Sequence, residues 1–224
     1  DGIPSRGTYT GAAISPNLTG MQNGKPLMKD VDYELVYENN INAGTAKIHI
    51  SKKVGANCND FTSQEKELTI EKADLSQSKL SGINSSYTYT GSAITPSPTV
   101  TTILGTSTSK LEKDRDYTVS YSNNTNSGDN SAVLTITGTS NFTGETSKRF
   151  SILQASVSSA SIDAVNNQTY TGSAITPKPS VKVSGHPLEA GVDFDYSYSN
   201  NVNVGTATIT ITGKGNYKDT NSTR

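Results

Sequence analysis

The sequence predicts an all-β protein built as three antiparallel β-sandwich domains in a row. Three observations carry that prediction: a composition poor in helix formers, a pattern that recurs at domain spacing, and apolar residues that alternate with period two. Among 224 residues there are 30 Ser, 30 Thr and 20 Asn, while 32% are hydrophobic and none is Trp. Short polar and β-branched side chains compete with the helix and favour strands and turns. No segment carries a convincing 3.6-residue period.

The recurrence is read from self-similarity. Thr8-Tyr9-Thr10-Gly11, Thr88-Tyr89-Thr90-Gly91 and Thr169-Tyr170-Thr171-Gly172 open three copies, with the tyrosines 80 and 81 residues apart. Each is followed by a Pro-bearing piece: Ala13-Ile14-Ser15-Pro16, Ala93-Ile94-Thr95-Pro96 and Ala174-Ile175-Thr176-Pro177. Then come Asp32-Tyr33, Asp116-Tyr117 and Asp193-Phe194, and the pairs Asn39-Asn40, Asn123-Asn124 and Asn200-Asn201. That spacing is too long for a solenoid unit and suits one small domain per copy, giving domains 1–72, 73–154 and 155–224.

Within each copy, Tyr33/Leu35/Tyr37, Tyr117/Val119/Tyr121 and Phe194/Tyr196/Tyr198 alternate with polar residues, the mark of a half-buried strand. Ala46/Ile48/Ile50, Ala132/Leu134/Ile136 and Ala207/Ile209/Ile211 do the same in the next strand. The Asn- and Gly-rich stretch between the two tolerates positive φ and predicts a hairpin, with Asp129 and Asn130 lengthening the turn in the second copy. Closing strands follow at 67–70 and 149–152. The prolines confine their segment to a sheet edge or a bulge. An open sheet is disfavoured because an 80-residue unit must cover both faces. Short linkers near 71–73 and 153–155, with little Gly or Pro, predict restricted motion between domains. The first copy lacks a first strand and the third a last one, as expected of a piece of a longer array, and a missing last strand leaves an edge open to another chain.

The runs Tyr170 to Pro177, Asp116 to Asn124 and Gly205 to Tyr217 resemble the tandem immunoglobulin-like repeats of large surface and secreted proteins of Gram-positive gut bacteria. The resemblance covers nearly the whole chain. It implies an immunoglobulin-like sandwich, an extracellular location at the cell surface or in secreted form, and a role as stalk, spacer or adhesive module. Another small β-fold such as a β-grasp meets the same strand pattern. The first copy departs most, with Lys52 to Asn59 inserted where the others have a short turn.

Charge and chemistry name no catalytic role. A net charge of −1 gives no nucleic-acid footprint, and no apolar run approaches the roughly 20 residues that cross a bilayer. Cys58 is the only cysteine, so no intrachain disulfide and no Cys-based metal centre can form. His49 and His186 read as surface residues, with no nucleophile or ligand at a recurring spacing beside them. Gly213 to Asn216 reads as a turn, because no phosphate-loop pattern is completed there. Asp30/Asp32, Asp114/Asp116 and Asp193/Asp195 each offer two oxygen donors to calcium, yet the third pair sits in a different register from the first two, which argues against one shared cage. No cofactor is expected.

Tyr9, Tyr89 and Tyr170 recur beside a glycine, which fits a shared edge contact first and a ligand-binding position second. The expected function is therefore a non-catalytic spacer, a monomer whose partners are the neighbouring domains of a longer surface protein. The alternative is an adhesin that binds host glycan or protein through its loops.

Overall fold

The computed structural model describes residues 5–224, and every regular element among them is a β-strand. No helix among them is long and apolar enough to cross a membrane. The strands form several sheets, an arrangement compatible with a β-sandwich. The chain gathers into two compact units. One comprises Asp1–Gly82, Ser97–Ser120 and Thr135–Lys148; the other comprises Ile83–Pro96, Tyr121–Leu134 and Arg149–Arg224.

The predicted hairpins form where the alternation places them. Tyr33–Glu38 pairs antiparallel with Gly44–Lys52, and Phe194–Ser199 with Thr208–Gly213, while Tyr117–Ser122 neighbours Gly128–Gly138. Asn39, Asn123 and Asn200 open the turns at φ 55°, 53° and 55°, a left-handed conformation that Asn reaches at lower cost than most residues. The expected long turn at Asp129-Asn130 is instead part of the strand Gly128–Gly138. Asn130 takes φ 49° there, its N–H donates to Ser151 Oγ at 2.9 Å, and Ser151 Oγ donates to Asp129 Oδ1 at 2.6 Å. The additional residues are therefore absorbed as an irregularity of the strand, as in a bulge.

The sheets are mixed, not purely antiparallel. Arg6–Thr8 runs parallel to the closing strand Gln64–Glu71, and Ser86–Thr88 runs parallel to Glu145–Leu153. A tight hairpin enforces antiparallel pairing only between strands it joins. These partners come from opposite ends of a segment, so no turn dictates their direction.

The Pro-bearing pieces differ from the expected edge strand as well. Residues 13–19, 93–98 and 174–180 belong to no strand and are held by side chains. Ile14, Ile94 and Ile175 donate their N–H groups to the carbonyls of Asn40, Asn124 and Asn201 at 2.8, 2.8 and 2.9 Å. The same three asparagines donate Nδ2 back to the isoleucine carbonyls at 3.1, 3.0 and 3.0 Å. Tyr37, Tyr121 and Tyr198 add hydroxyl bonds to the carbonyls of Pro16, Pro96 and Pro177 at 2.8, 2.7 and 2.7 Å. Burial pushes all three hydroxyls above the ordinary 10.0, so they remain protonated donors at neutral pH. Proline has no N–H to give a ladder, and this strap satisfies the backbone without one.

The apolar faces close over small cores. In the first segment Leu18, Ala46, Ile48, Leu68 and Ile70 pack together, with Ile14 and Tyr37 against them. In the third, Val157, Val181, Phe194, Ile211 and Tyr217 do so. Each fully buried large side chain contributes about 2 kcal/mol.

One glycine position distinguishes the first segment from the others. A Cβ on Gly138 would lie 2.7 Å from Thr143 N and 2.8 Å from Phe142 C, and one on Gly213 would lie 2.7 Å from Lys218 N. The strand end passes so close to the next turn that only glycine fits. Lys52 pairs with Tyr33 as Gly213 pairs with Phe194, so the first segment has a side chain at this place. Its following loop is tied down by other bonds. Lys52 Nζ donates to Cys58 O and Asp60 Oδ1, both at 2.8 Å, and Cys58 Sγ lies 3.7 Å from Asp32 O. We expect Gly138→Ala and Gly213→Ala each to lower stability by about 1–3 kcal/mol through overpacking. Urea denaturation with unchanged midpoints in both variants would show that the approach is not tight.

Candidate functional site

Recurring tyrosines and Asn-aromatic pairs meet at the junctions between segments. After the closing strand Gln64–Glu71, the strand Ala73–Asp74 runs parallel to Phe142–Thr143, with Ala73 N–H donating to Asn141 O at 3.0 Å and Leu75 N–H to Thr143 O at 2.8 Å. The second junction repeats this: Ala155–Ser156 runs parallel to Tyr217–Lys218, with Ala155 N–H on Asn216 O at 3.0 Å and Val157 N–H on Lys218 O at 2.9 Å. Each linker thus holds an Asn-aromatic pair belonging to the segment that follows it.

That pair grips the segment before it. Phe142 meets Tyr9 edge-on with ring centres 5.4 Å apart at 82°, and Tyr217 meets Tyr89 at 5.4 Å and 84°. Edge-to-face contact sets the positive rim of one ring against the negative face of the other and adds about 1 kcal/mol to the area buried. Asn141 Oδ1 accepts the Ala43 N–H at 2.9 Å while its Nδ2 donates to Asn42 Oδ1 at 3.0 Å. Asn216 accepts the Ser127 N–H at 2.7 Å and donates to Asn126 Oδ1 at 3.2 Å. An amide side chain carries both a donor and an acceptor, so one residue satisfies both groups of the hairpin turn it touches. The first junction lies wholly within one compact unit and the second wholly within the other.

The three candidate tyrosines therefore stand in two situations. The rings of Tyr9 and Tyr89 pack on the following segment, whereas Tyr170 is 57% exposed. The first segment also lacks the gripping pair. Ala56 N–H donates to Lys53 O as Phe142 does to Thr139 and Tyr217 to Lys214, so Gly55-Ala56 occupies the place of Asn141-Phe142 and Asn216-Tyr217. Periodicity reasoning missed Asn141 and Asn216, because an Asn beside Gly and Ser reads as turn chemistry. The available signal was Asn followed by an aromatic in two copies and not in the first.

The aspartates take a repeated backbone role. Met28, Glu112 and Glu189 donate their N–H groups to Oδ2 of Asp32, Asp116 and Asp193 at 2.8, 2.9 and 2.9 Å. The same aspartates donate their own N–H groups to the carbonyls of these residues. Asp193 is thus the counterpart of Asp32 and Asp116, and Gly191 at φ 86° stands where Asp30 and Asp114 take φ 65° and 66°. The third pair, Asp193 with Asp195, thus differs in register from the first two as expected, and Asp195 lies on the strand, 3.2 Å from Lys214 Nζ. Among the described residues no group of three or more His, Cys, Asp or Glu is placed to hold a metal ion.

Asp116 is the most enclosed of the three at 6% exposure and adds a two-pronged bond to its neighbour, Arg115 Nε to Oδ1 at 2.9 Å and Nη2 to Oδ2 at 2.8 Å. The Arg115 guanidinium, with the Glu112 N–H, holds its carboxyl below the ordinary 3.8. His49 lies between Glu38 and Glu65 at 3.4 and 3.5 Å on an open strand face, and His186 is exposed in the short strand His186–Pro187. Gly215-Asn216 forms a turn, as expected.

Two outcomes are expected. Asn141→Ala and Asn216→Ala each remove two bonds and strand a turn N–H, lowering stability by about 1–2 kcal/mol and speeding proteolysis near the junction on its own side. Equal cleavage of variant and parent would contradict the grip. For Asp116 the folded carboxyl titrates below the unfolded one, so its contribution is complete above about pH 4–5 and fades as pH falls through the depressed folded value. Asp116→Asn should cost about 2 kcal/mol at neutral pH and flatten the acid limb of a urea-midpoint profile, and an unchanged limb would refute this. No family model, no curated protein and no solved structure matches the chain.

Proposed function

We propose that this chain is a run of three non-catalytic, immunoglobulin-like modules serving as an extracellular spacer in a bacterial surface protein. The observation that carries the reading is the junction made twice from the same residue types. Two of the three recurring tyrosines are spent on the neighbouring segment, where a binding module would keep them for a ligand. Features shared by the copies are straps, turns and junctions, as a spacer requires. The resemblance in Tyr170 to Pro177, Asp116 to Asn124 and Gly205 to Tyr217 supplies the bacterial surface as the setting.

The adhesin reading rests on Tyr170 alone, the one member of the set with an open ring. A glycan, mucin and matrix-protein array probed with the purified chain, with calcium and with chelator, separates the two. The spacer reading expects no saturable signal in either condition. A saturable signal lost in Tyr170→Ala would replace it with the adhesin, and one lost with chelator would give the paired aspartates a calcium role.

A further inference from the structure

Tension on a chain acts first on the strands by which it enters and leaves a module, so their direction decides what bears the load. In the first segment the entering strand Arg6–Thr8 runs parallel to the leaving strand Gln64–Glu71, with Arg6 opposite Thr69 and Thr8 opposite Glu71. Ser86–Thr88 and the end of Glu145–Leu153 repeat this, with Ser86 opposite Ser151 and Thr88 opposite Leu153. Further bonds close both ends of each ladder. Ser5 O accepts the Thr69 N–H at 3.0 Å and Tyr9 N–H donates to Glu71 O at 2.8 Å; Ser85 O accepts the Ser151 N–H and Tyr89 N–H donates to Leu153 O, both at 2.9 Å. The linker strands follow the same rule, Ala73–Asp74 parallel to Phe142–Thr143 and Ala155–Ser156 parallel to Tyr217–Lys218.

Parallel direction puts the upstream end of the entering strand and the downstream end of the leaving strand at opposite ends of their ladder. A pull on those two ends slides the strands past each other and loads every bond between them at once. In an antiparallel hairpin the free ends meet, as Tyr33 meets Lys52, and a pull there opens the bonds one at a time. The leaving strands are also backed by the core. Leu68, Ile70, Phe150 and Ile152 are between 0% and 1% exposed, and Gln64–Glu71 is bonded along its other edge to Gly44–Lys52. Sliding must drag these side chains out of a close-packed interior before the ladder parts.

We propose that these parallel ladders are shear clamps and that the chain has a further, mechanical function: it carries tension without unfolding. The source of the load rests on the spacer reading, whereas the clamp itself follows from strand direction and core backing. Forced unfolding is set by the barrier to opening and not by equilibrium stability. The same segment should therefore be strong when pulled along its parallel ladder and weak when pulled at the open end of its hairpin. Stability alone carries no direction, so this difference is the signature of a clamp.

The test is single-molecule force spectroscopy on the whole chain in a Cys58→Ser background, which removes the one native thiol. Two pairs of attachment points are compared in the first segment. Ser5→Cys with Lys72→Cys pulls the parallel ladder lengthwise, and Val31→Cys with Val54→Cys pulls apart the meeting ends of the hairpin Tyr33–Glu38/Gly44–Lys52. All four positions are exposed, so both pairs report on one fold. At one loading rate the first pair is expected to need about twofold the force of the second or more, and to yield in a single step. Equal forces, a stronger hairpin direction, or gradual opening from the first pair would each overturn the clamp. The spacer reading is decided separately, by the binding array.

Discussion

The pair of hydrogen bonds between the second asparagine of each hairpin turn and the isoleucine of the Pro-bearing segment is the constraint on which the other features depend. That segment cannot join a ladder through its prolines, yet it must cross the open end of the sheet for Ile14 to reach the core of the first segment. Asn40 and its counterparts solve this by giving the segment a donor and an acceptor outside any sheet. Because the preceding asparagine is already in the left-handed region, the amide points back along the turn toward the isoleucine. The tyrosine hydroxyls then fix the prolines two residues on. With the segment in place, the Thr-Gly turn before it is positioned, and with that turn the tyrosine that serves the junction.

Much of this could be read from the residues. Period-two alternation marks the hairpin strands because burial alternates with the pleat, and Asn-Asn-x-Asn-x-Gly marks their turns because few other residues accept positive φ. The parallel pairings could not be read this way, since alternation carries no direction. Nor could the role of the prolines, where a missing N–H says what the segment cannot do and leaves open what replaces the ladder. The different register of Asp193-x-Asp195, by contrast, could be read, and its reason is structural: Gly191 supplies the positive φ that Asp30 and Asp114 take in the other copies.

The junctions were the least legible part. Asn141 and Asn216 lie in turns, and a turn asparagine is expected for local reasons, so its use on a distant hairpin leaves no local trace. The first segment shows the converse. Lys52 stands where the other segments have Gly138 and Gly213, and the first segment has neither their close approach nor the Asn-aromatic pair.

The straps and junctions share a chemical trait. They are assembled from amides, hydroxyls, main-chain groups and aromatic rings, none of which changes charge between mildly acidic and neutral conditions, and none of which is a mobile ion pair open to screening. The charged contacts lie elsewhere, on strand faces and around Asp116. Acid or brine therefore acts on the individual segments before it acts on their couplings, and a protein joined in this way keeps its connections while its surroundings vary.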